Sequence, residues 1–327
     1  MRNKNNRAIY FDEYIEINGI LQYLYHCGTN EENPVMLFLH GGPGSVESLF
    51  AHAFQEKWEE IYTVVHWDQR GAGKTLSKNQ REEHYPTSDS IMEDTYEIVQ
   101  YLKKIYKKEK IVIFGHSFGS LLGSLFTLKY PNEVEYYIGV GQVVNMLENE
   151  RVGYEKIKEV IIESNNKSDL KKLEAIGDYP GENFDSNFLK SIKKLRHLQE
   201  KYKLAVAPTL ALILLAFKSP IFKLSDIRAL KNGMKSNKNL FNYLCKFDLY
   251  AYPSNYDVPM YYILGGDDWQ TPYVLAEKYY EIVKAPNKKF FKIPNAGHLT
   301  MIDQPELFFD VMKEIRYTNQ DEIRLCN

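Results

Sequence analysis

The sequence has few of the features that mark secreted, metal-binding or membrane-spanning proteins. It contains three cysteines in 327 residues (Cys27, Cys245 and Cys326), which are too few, too far apart and odd in number for a disulfide framework. It has no paired cysteine and histidine spacing typical of zinc sites. Residues 1–14 carry positive charge without an apolar segment, so we expect no signal peptide.

Long apolar runs and a strong net charge are also missing. The longest apolar run, residues 204–217, contains Pro208 and is shorter than the roughly 20 residues that span a bilayer. The net charge is −2, and basic residues form only short lysine clusters, so we expect neither nucleic acid nor a membrane as a partner. The sequence therefore predicts a reduced, soluble, cytoplasmic protein.

Short apolar segments alternate with helical patterns in both terminal parts of the chain. Residues 9–27 read as a β-hairpin around the Asn18–Gly19 turn. Continuous apolar runs predict buried strands, and apolar residues at helical spacing predict helices. The predicted strands cover residues 35–40, 61–68, 111–115, 134–141, 258–266 and 288–294, and the predicted helices cover 89–106, 120–131, 273–283 and 305–315.

Residues 143–250 differ from the rest because they are rich in Lys and Glu and helical in pattern. Strands that alternate with helices predict a mostly parallel sheet with helices on both faces. The sequence thus predicts an α/β core made of residues 1–142 and 251–327. We interpret residues 143–250 as a helical insertion that follows the fourth buried strand.

A candidate nucleophile lies in the segment GHSFGS, residues 115–120, between a predicted strand and a predicted helix. This is the G-x-S-x-G pattern in the strand–turn–helix setting of a nucleophile elbow, which exposes the Oγ of Ser117 above the sheet. Gly115 and Gly119 suit this turn because a Cβ at either position would collide with the neighbouring strand or helix. His116 is expected to turn its side chain elsewhere.

A nucleophilic serine needs a base and an orienting acid. His298 is the histidine that follows the last predicted strand, in PNAGHLTM. The acid is expected at the end of the preceding strand, where Asp267 and Asp268 are neighbours. The spacing from Gly265 and to Pro272 favours Asp268, and Asp267 is interpreted as a turn or surface residue.

The glycine-rich segment HGGPGS, residues 40–45, follows a predicted buried strand. The oxyanion that forms on a substrate carbonyl needs donors about 3 Å away. The backbone N–H of Gly42 and that of Phe118, the residue after the nucleophile, are the predicted donors. No metal or organic cofactor is needed for this chemistry.

Three segments together resemble the proline iminopeptidase (prolyl aminopeptidase) family of α/β hydrolases: HGGPGS at 40–45, DQRGAGKT at 68–75 and GHSFGS at 115–120. The resemblance covers the two core segments and implies that the helical insertion is a cap over the active site. DQRGAGKT is not a phosphate loop, because Gly71 and Gly73 are only two residues apart. Asp68 and Arg70 are interpreted as a structural ion pair that braces the loop near the nucleophile, in preference to direct contact with the substrate.

The sequence departs from this family around the serine and in the cap. The family commonly has Gly and Trp beside its serine, where this chain has His116 and Phe118, and it holds the substrate amine with cap glutamates in a Trp-rich segment. This insertion contains no Trp, and Glu150 is the candidate for that role. The prediction is an aminopeptidase that releases N-terminal proline or other small residues from short peptides. The alternatives are a carboxylesterase or lipase-like enzyme that acts on small-molecule esters or amides, and a non-catalytic ligand-binding homologue.

Overall fold

The computed structural model describes residues 9–181, 186–205 and 209–326. Within them, eight strands form one sheet. The strands are β1 (Ile9–Ile17), β2 (Ile20–Gly28), β3 (Val35–Leu39), β4 (Thr63–Asp68), β5 (Ile111–His116), β6 (Val134–Val140), β7 (Met260–Gly265) and β8 (Lys288–Ile293).

The strand order across the sheet is β1-β2-β4-β3-β5-β6-β7-β8. The hairpin of β1 and β2 pairs antiparallel, and β2 also pairs antiparallel with β4. All other neighbouring strands are parallel. The hairpin turns at Asn18 and Gly19, which both have positive φ (47° and 76°), as a tight two-residue turn requires. The predicted fold class, an α/β sheet flanked by helices, is confirmed.

The helices surround this sheet or lie between β6 and β7. They are α1 (Gly73–Lys78), α2 (Ser88–Tyr106), α3 (Phe118–Lys129), α4 (Met146–Glu163), α5 (Lys167–Glu174), α6 (Ser186–Lys201), α7 (Thr209–Phe217), α8 (Leu224–Ser236), α9 (Lys238–Cys245), α10 (Tyr273–Ile282), α11 (Thr300–Asp303) and α12 (Pro305–Cys326). The short helices α1 and α11 were not predicted, since one or two turns carry too little apolar periodicity to read.

Strand β3 shows how the two faces of the sheet are filled. Its alternate residues Val35, Leu37 and Leu39 pack in one buried cluster with apolar residues of α2 and α3. Met36 and Phe38 point to the other face and pack in a cluster that includes residues of α12. Helices therefore cover both faces, which explains why the central strands read as continuous apolar runs.

Helices α4 to α9 follow β6 and precede β7. Apolar residues of α4, α5, α6 and α9 form a buried cluster of their own, which includes Ile157, Leu173, Leu195 and Cys245. The division of the chain at residues 143 and 250 stays a prediction. The apolar run at residues 204–217 includes α7, and its residues 206–208 lie outside the described residues. The N-terminal residues 1–8 also lie outside them.

Candidate active site

Ser117 occupies a sharp turn between β5, which ends at His116, and α3, which begins at Phe118. Its backbone has φ 53° and ψ −121°, a conformation that costs a non-glycine residue about 1–3 kcal/mol. The turn is held by a hydrogen bond from the Ser117 N–H to the Val140 carbonyl (2.9 Å). The Ser117 carbonyl in turn accepts the Ser120 hydroxyl (2.6 Å). This strained geometry is the one expected of a nucleophile elbow.

The two glycines of the elbow allow backbones to approach closely. A Cβ on Gly119 would lie 2.0 Å from the Leu39 carbonyl oxygen, and a Cβ on Gly115 would lie 2.4 Å from the Gly119 carbonyl oxygen. Real Cβ atoms do not approach backbone so closely, so both positions require glycine, as the sequence pattern predicted.

We expect Gly119→Ala to destabilise the protein by about 3 kcal/mol, because α3 would have to move away from β3. Thermal unfolding would measure the loss. Gly266→Ala is the matched control, since its Cβ would lie 3.3 Å from the Ile293 carbonyl oxygen, which requires the neighbour to move by only a few tenths of an ångström. Equal melting temperatures for the two variants would contradict the close packing of α3 on β3.

Asp268 and His298 are brought together at the ends of β7 and β8. The His298 Nδ1 lies 2.8 Å from the Asp268 Oδ2. The Asp268 carboxylate also accepts hydrogen bonds from the Thr271 hydroxyl (2.7 Å) and from the backbone N–H groups of Gln270 and Thr271 (2.9 and 3.0 Å). The neighbouring Asp267 is exposed, so of the two candidates the structure places Asp268 on the histidine.

The Asp268 carboxylate is fully buried. Burial alone would raise its pKa, but His298 and the hydrogen bonds from Thr271 outweigh burial, so the pKa of Asp268 lies below its usual value. The carboxylate therefore stays ionised at neutral pH and can stabilise an imidazolium on His298.

A cavity of ≈ 160 Å³ brings Ser117 and His298 to one space, and Gly42 and Gln270 line it with them. Because Nδ1 of His298 faces Asp268, the ring nitrogen that remains for Ser117 is Nε2. Gly42 has φ +112°, a conformation that favours glycine. Phe118 is the first residue of α3, whose leading N–H groups have no partner within the helix. Gly42 lines the cavity with Ser117, and Phe118 follows Ser117 in the chain; their role as oxyanion donors stays a prediction.

A second cavity of ≈ 440 Å³ opens beside Ser117 and Gly42. One part of its wall is apolar and comes from Val143, Met146, Ile192, Phe241 and Leu244, and another part is polar and comes from Lys193, Arg196, His197, Glu200, Gln270 and Thr271. The charged residues lie on α6. Helices between β6 and β7 thus supply most of the wall opposite the serine, and the sequence alone did not identify α6 as part of it.

The structure places Glu150 on α4, fully buried and absent from the lining of this cavity. Its carboxylate forms an ion pair with Arg196 and accepts a hydrogen bond from the Tyr179 hydroxyl. Arg196 itself lines the cavity. The charge of Glu150 is therefore already compensated, and its predicted role in binding a substrate amine stays a prediction.

The interpretation of Asp68 and Arg70 as an ion pair is wrong. Arg70 pairs with Asp94 of α2, with its Nε 2.6 Å from Oδ2 and its Nη2 2.9 Å from Oδ1. Asp68 accepts the Ser48 hydroxyl (2.7 Å) and the Lys74 N–H (2.8 Å) instead. The ion pair was predicted because Asp68 and Arg70 are close in sequence. Helix α1 begins at Gly73, however, so the backbone N–H of Lys74 points toward Asp68 and hydrogen-bonds it.

Other kinds of site receive no support in the described part of the chain. No helix there is both apolar enough and long enough to cross a membrane. Across residues 9–181, 186–205 and 209–326, no group of three or more His, Cys, Asp or Glu side chains is placed to hold a metal ion.

Comparison with known proteins agrees with this architecture. Residues 34–171 match the family described as alpha/beta hydrolase fold. The probable aminopeptidase YbaC of Bacillus subtilis (strain 168) is 29% identical over 317 residues, which cover 94% of this chain and 96% of that protein. The proline iminopeptidase of Thermoplasma volcanium is 31% identical over 119 residues, which cover 36% of this chain and 38% of that protein.

Among solved structures, the proline iminopeptidase-related protein of Thermus thermophilus superposes with a TM-score of 0.66 at 23% identity, covering 95% of this chain and 98% of that one. A bacterial membrane phospholipase A superposes with a TM-score of 0.65 at 15% identity, covering 96% of this chain and 87% of that one. Likeness at this level of identity establishes the fold alone. The chain is an α/β hydrolase by fold, and in sequence it resembles the aminopeptidases and proline iminopeptidases of that fold.

Proposed function

We propose that this protein is a serine hydrolase that removes N-terminal proline or another small residue from short peptides. The observation that carries the proposal is the meeting of a strained Ser117 with the Asp268–His298 pair at one cavity. A strained elbow costs stability, and a nucleophile is the reason to keep it. The resemblance to aminopeptidases supports the peptide substrate.

The proposed reaction begins when the Ser117 Oγ attacks the substrate carbonyl and His298 takes its proton. The N–H groups of Gly42 and Phe118 donate hydrogen bonds to the oxyanion. His298 then protonates the leaving amine, and the acyl group remains on Ser117. Water, activated by the same histidine, hydrolyses the acyl-enzyme. Asp268 stabilises the imidazolium throughout and does not take the proton.

An assay with aryl substrates tests this proposal. Proline and alanine arylamides would be compared with short-chain aryl esters, with Ser117→Ala as the control for contaminating activity. Arylamide cleavage that depends on Ser117 is the expected result. Ester turnover without arylamide cleavage would overturn the aminopeptidase proposal in favour of an esterase, which the apolar wall of the larger cavity would also suit. Absence of both activities would support a non-catalytic homologue.

An aminopeptidase needs a carboxylate that binds the substrate ammonium. The surroundings of Glu200 fit this role better than those of Glu150. Glu200 lines the larger cavity with Ser117. Its carboxylate has no ion pair or hydrogen bond with any residue that the structure describes. A half-buried, unpaired carboxylate has its charge available for a ligand, whereas that of Glu150 is taken up by Arg196.

We expect Glu200→Gln to raise KM for a free-amine arylamide about 10-fold or more, the effect of losing one charge-assisted hydrogen bond. An aryl ester without an amine should not respond, which makes it the internal control. Glu150→Gln should lower the melting temperature, because Arg196 loses its partner, and should raise KM less than Glu200→Gln does, because its carboxylate does not line the cavity. If Glu150→Gln raises KM and Glu200→Gln does not, Glu150 is the ammonium site.

A further inference from the structure

His116, the residue before the nucleophile, is buried and uses both of its ring nitrogens. Its Nδ1 lies 2.5 Å from the Glu47 Oε1. Its Nε2 lies 2.8 Å from the backbone carbonyl oxygen of His298. A carbonyl oxygen only accepts hydrogen bonds, so Nε2 carries a hydrogen and donates it to His298. The side chain expected to turn away from the site therefore holds the backbone of the predicted base.

The three residues come from three separate segments around the nucleophile. Glu47 follows HGGPGS and is 4% exposed. His116 ends β5, and His298 lies in the loop after β8. A chain of two hydrogen bonds therefore connects the segment that carries Gly42 to the loop of the base.

The groups that surround His116 determine its protonation. Burial by itself lowers the pKa of His116, but the Glu47 carboxylate and the His298 carbonyl outweigh burial, so the pKa of His116 is raised. The other ionisable groups that act on it are Asp268, which stabilises the imidazolium, and the buried His40. The ring of His298 also lies close, with its centroid 4.8 Å from that of His116.

We propose that Glu47 and His116 are positioning residues that hold the backbone of His298, so that its imidazole stays aligned between Asp268 and Ser117. This inference rests on the proposed role of His298 as the base. Asp268 fixes the ring of His298 from one side, and His116 is the side chain that binds the backbone carbonyl of His298 itself. A displacement of about 1 Å in a catalytic group can cost about 100-fold in rate, so a buried hydrogen bond to that loop bears directly on catalysis.

The rate at which a fluorophosphonate labels Ser117 tests the inference, because this probe reports the nucleophile without a substrate amine. We expect His116→Phe to slow labelling about 10- to 100-fold, since the loop of the base loses its donor. His116→Gln should recover at least about threefold of this loss, because its amide N–H can donate to the His298 carbonyl.

A double variant distinguishes the positioning effect of Glu47 and His116 from a general loss of stability. Glu47→Gln added to His116→Phe should relieve the unpaired buried carboxylate and raise the melting temperature, while labelling stays as slow as in His116→Phe alone. This lack of additivity is expected because the inferred support from Glu47 reaches the His298 loop through its hydrogen bond to His116. His66→Phe is the matched control: His66 is also buried in the sheet and bonded to a neighbouring side chain, Gln55. The His66→Phe variant should have a lower melting temperature, but its Ser117 should be labelled at the wild-type rate.

The pH dependence of labelling provides a second readout. A raised pKa means that the contribution of protonated His116 is present at lower pH and is lost as pH rises through the raised value. Wild-type labelling should therefore slow at alkaline pH, and His116→Phe should lack that step. Wild-type labelling rates in His116→Phe would overturn the inference. Wild-type labelling in His298→Ala would overturn the proposed function and this inference with it.

Discussion

Ser117→Ala is expected to lower kcat for arylamide hydrolysis by about 10⁴- to 10⁶-fold, the loss typical of removing the nucleophile of a Ser-His-Asp triad. The physical reason is that no other hydroxyl lies on the strained turn at the end of β5. Folding should not suffer, because the side chain of Ser117 makes no hydrogen bond to a described residue and alanine relieves no packing constraint. Initial rates at saturating substrate, with melting temperatures measured in parallel, check both statements.

Ser124→Ala is the matched control for this variant. Ser124 is also buried and also lies on α3, and its hydroxyl donates to the Ser120 carbonyl (2.7 Å). It lines neither of the two cavities beside Ser117. Its activity should stay within about threefold of the wild type, as expected for a change away from the reacting atoms. A Ser117→Ala enzyme as active as Ser124→Ala would show that the hydrolysis has another nucleophile.

Asp268→Asn is expected to lower kcat by about 10³- to 10⁴-fold with little change in KM. The amide has the shape of the carboxylate but no charge, so it cannot stabilise the imidazolium on His298. Its N–H₂ group can also face Nδ1 and hold the histidine in the wrong tautomer. Steady-state kinetics on the arylamide would measure the split between kcat and KM.

The neighbouring Asp267 provides the control, because Asp267→Asn removes the same charge one residue away on an exposed side chain. Its activity should remain within about twofold, as for most exposed substitutions. If Asp267→Asn causes the loss and Asp268→Asn does not, the assignment of the acid is wrong.

Because the pKa of Asp268 is lowered in the fold, its contribution to the free energy of unfolding is present above its unfolded pKa. The contribution is lost only as pH falls through the lowered value, in the acid range.

The parts of this fold that the sequence predicted are those set by local pattern. Strands β3, β5 and β6 are buried at nearly every position, so β3 and the start of β5 appear as apolar runs and β6 as an apolar run interrupted by Glu135. The hairpin follows from Asn18 and Gly19, whose positive φ values fit a tight turn. The elbow could be predicted because each of its glycines allows a close backbone approach: Gly119 that of α3 to β3, and Gly115 that of β5 to the start of α3.

The parts that the sequence did not predict depend on contacts between distant residues. Arg70 reaches Asp94 in the next helix and not the nearer Asp68. His116 meets Glu47, which lies 69 residues away along the chain. Neither Asp94 nor Glu47 could be predicted from sequence spacing. A buried charged group needs an oppositely charged or hydrogen-bonding partner, and here the tertiary fold supplies that partner from a distant segment.

The helical segment between β6 and β7 shows the same limit at the substrate side of the site. Its amphipathic helices could be recognised from their pattern, but the face that each presents to the cavity depends on how they pack on one another. Glu150 lies close to the exit of β6 in sequence, yet its carboxylate is buried among the helices and pairs with Arg196. Glu200, one turn beyond Arg196 on α6, reaches the cavity.

The requirement for a free substrate amine tests the central claim most directly. The measurement compares kcat/KM for proline arylamide with that for its N-acetylated form, on the wild-type enzyme with Ser117→Ala as the blank. The account predicts a preference for the free amine of at least about 10-fold, because acetylation removes the charge-assisted hydrogen bond between the substrate ammonium and a half-buried carboxylate. Equal kcat/KM values for the free and acetylated substrates would contradict it.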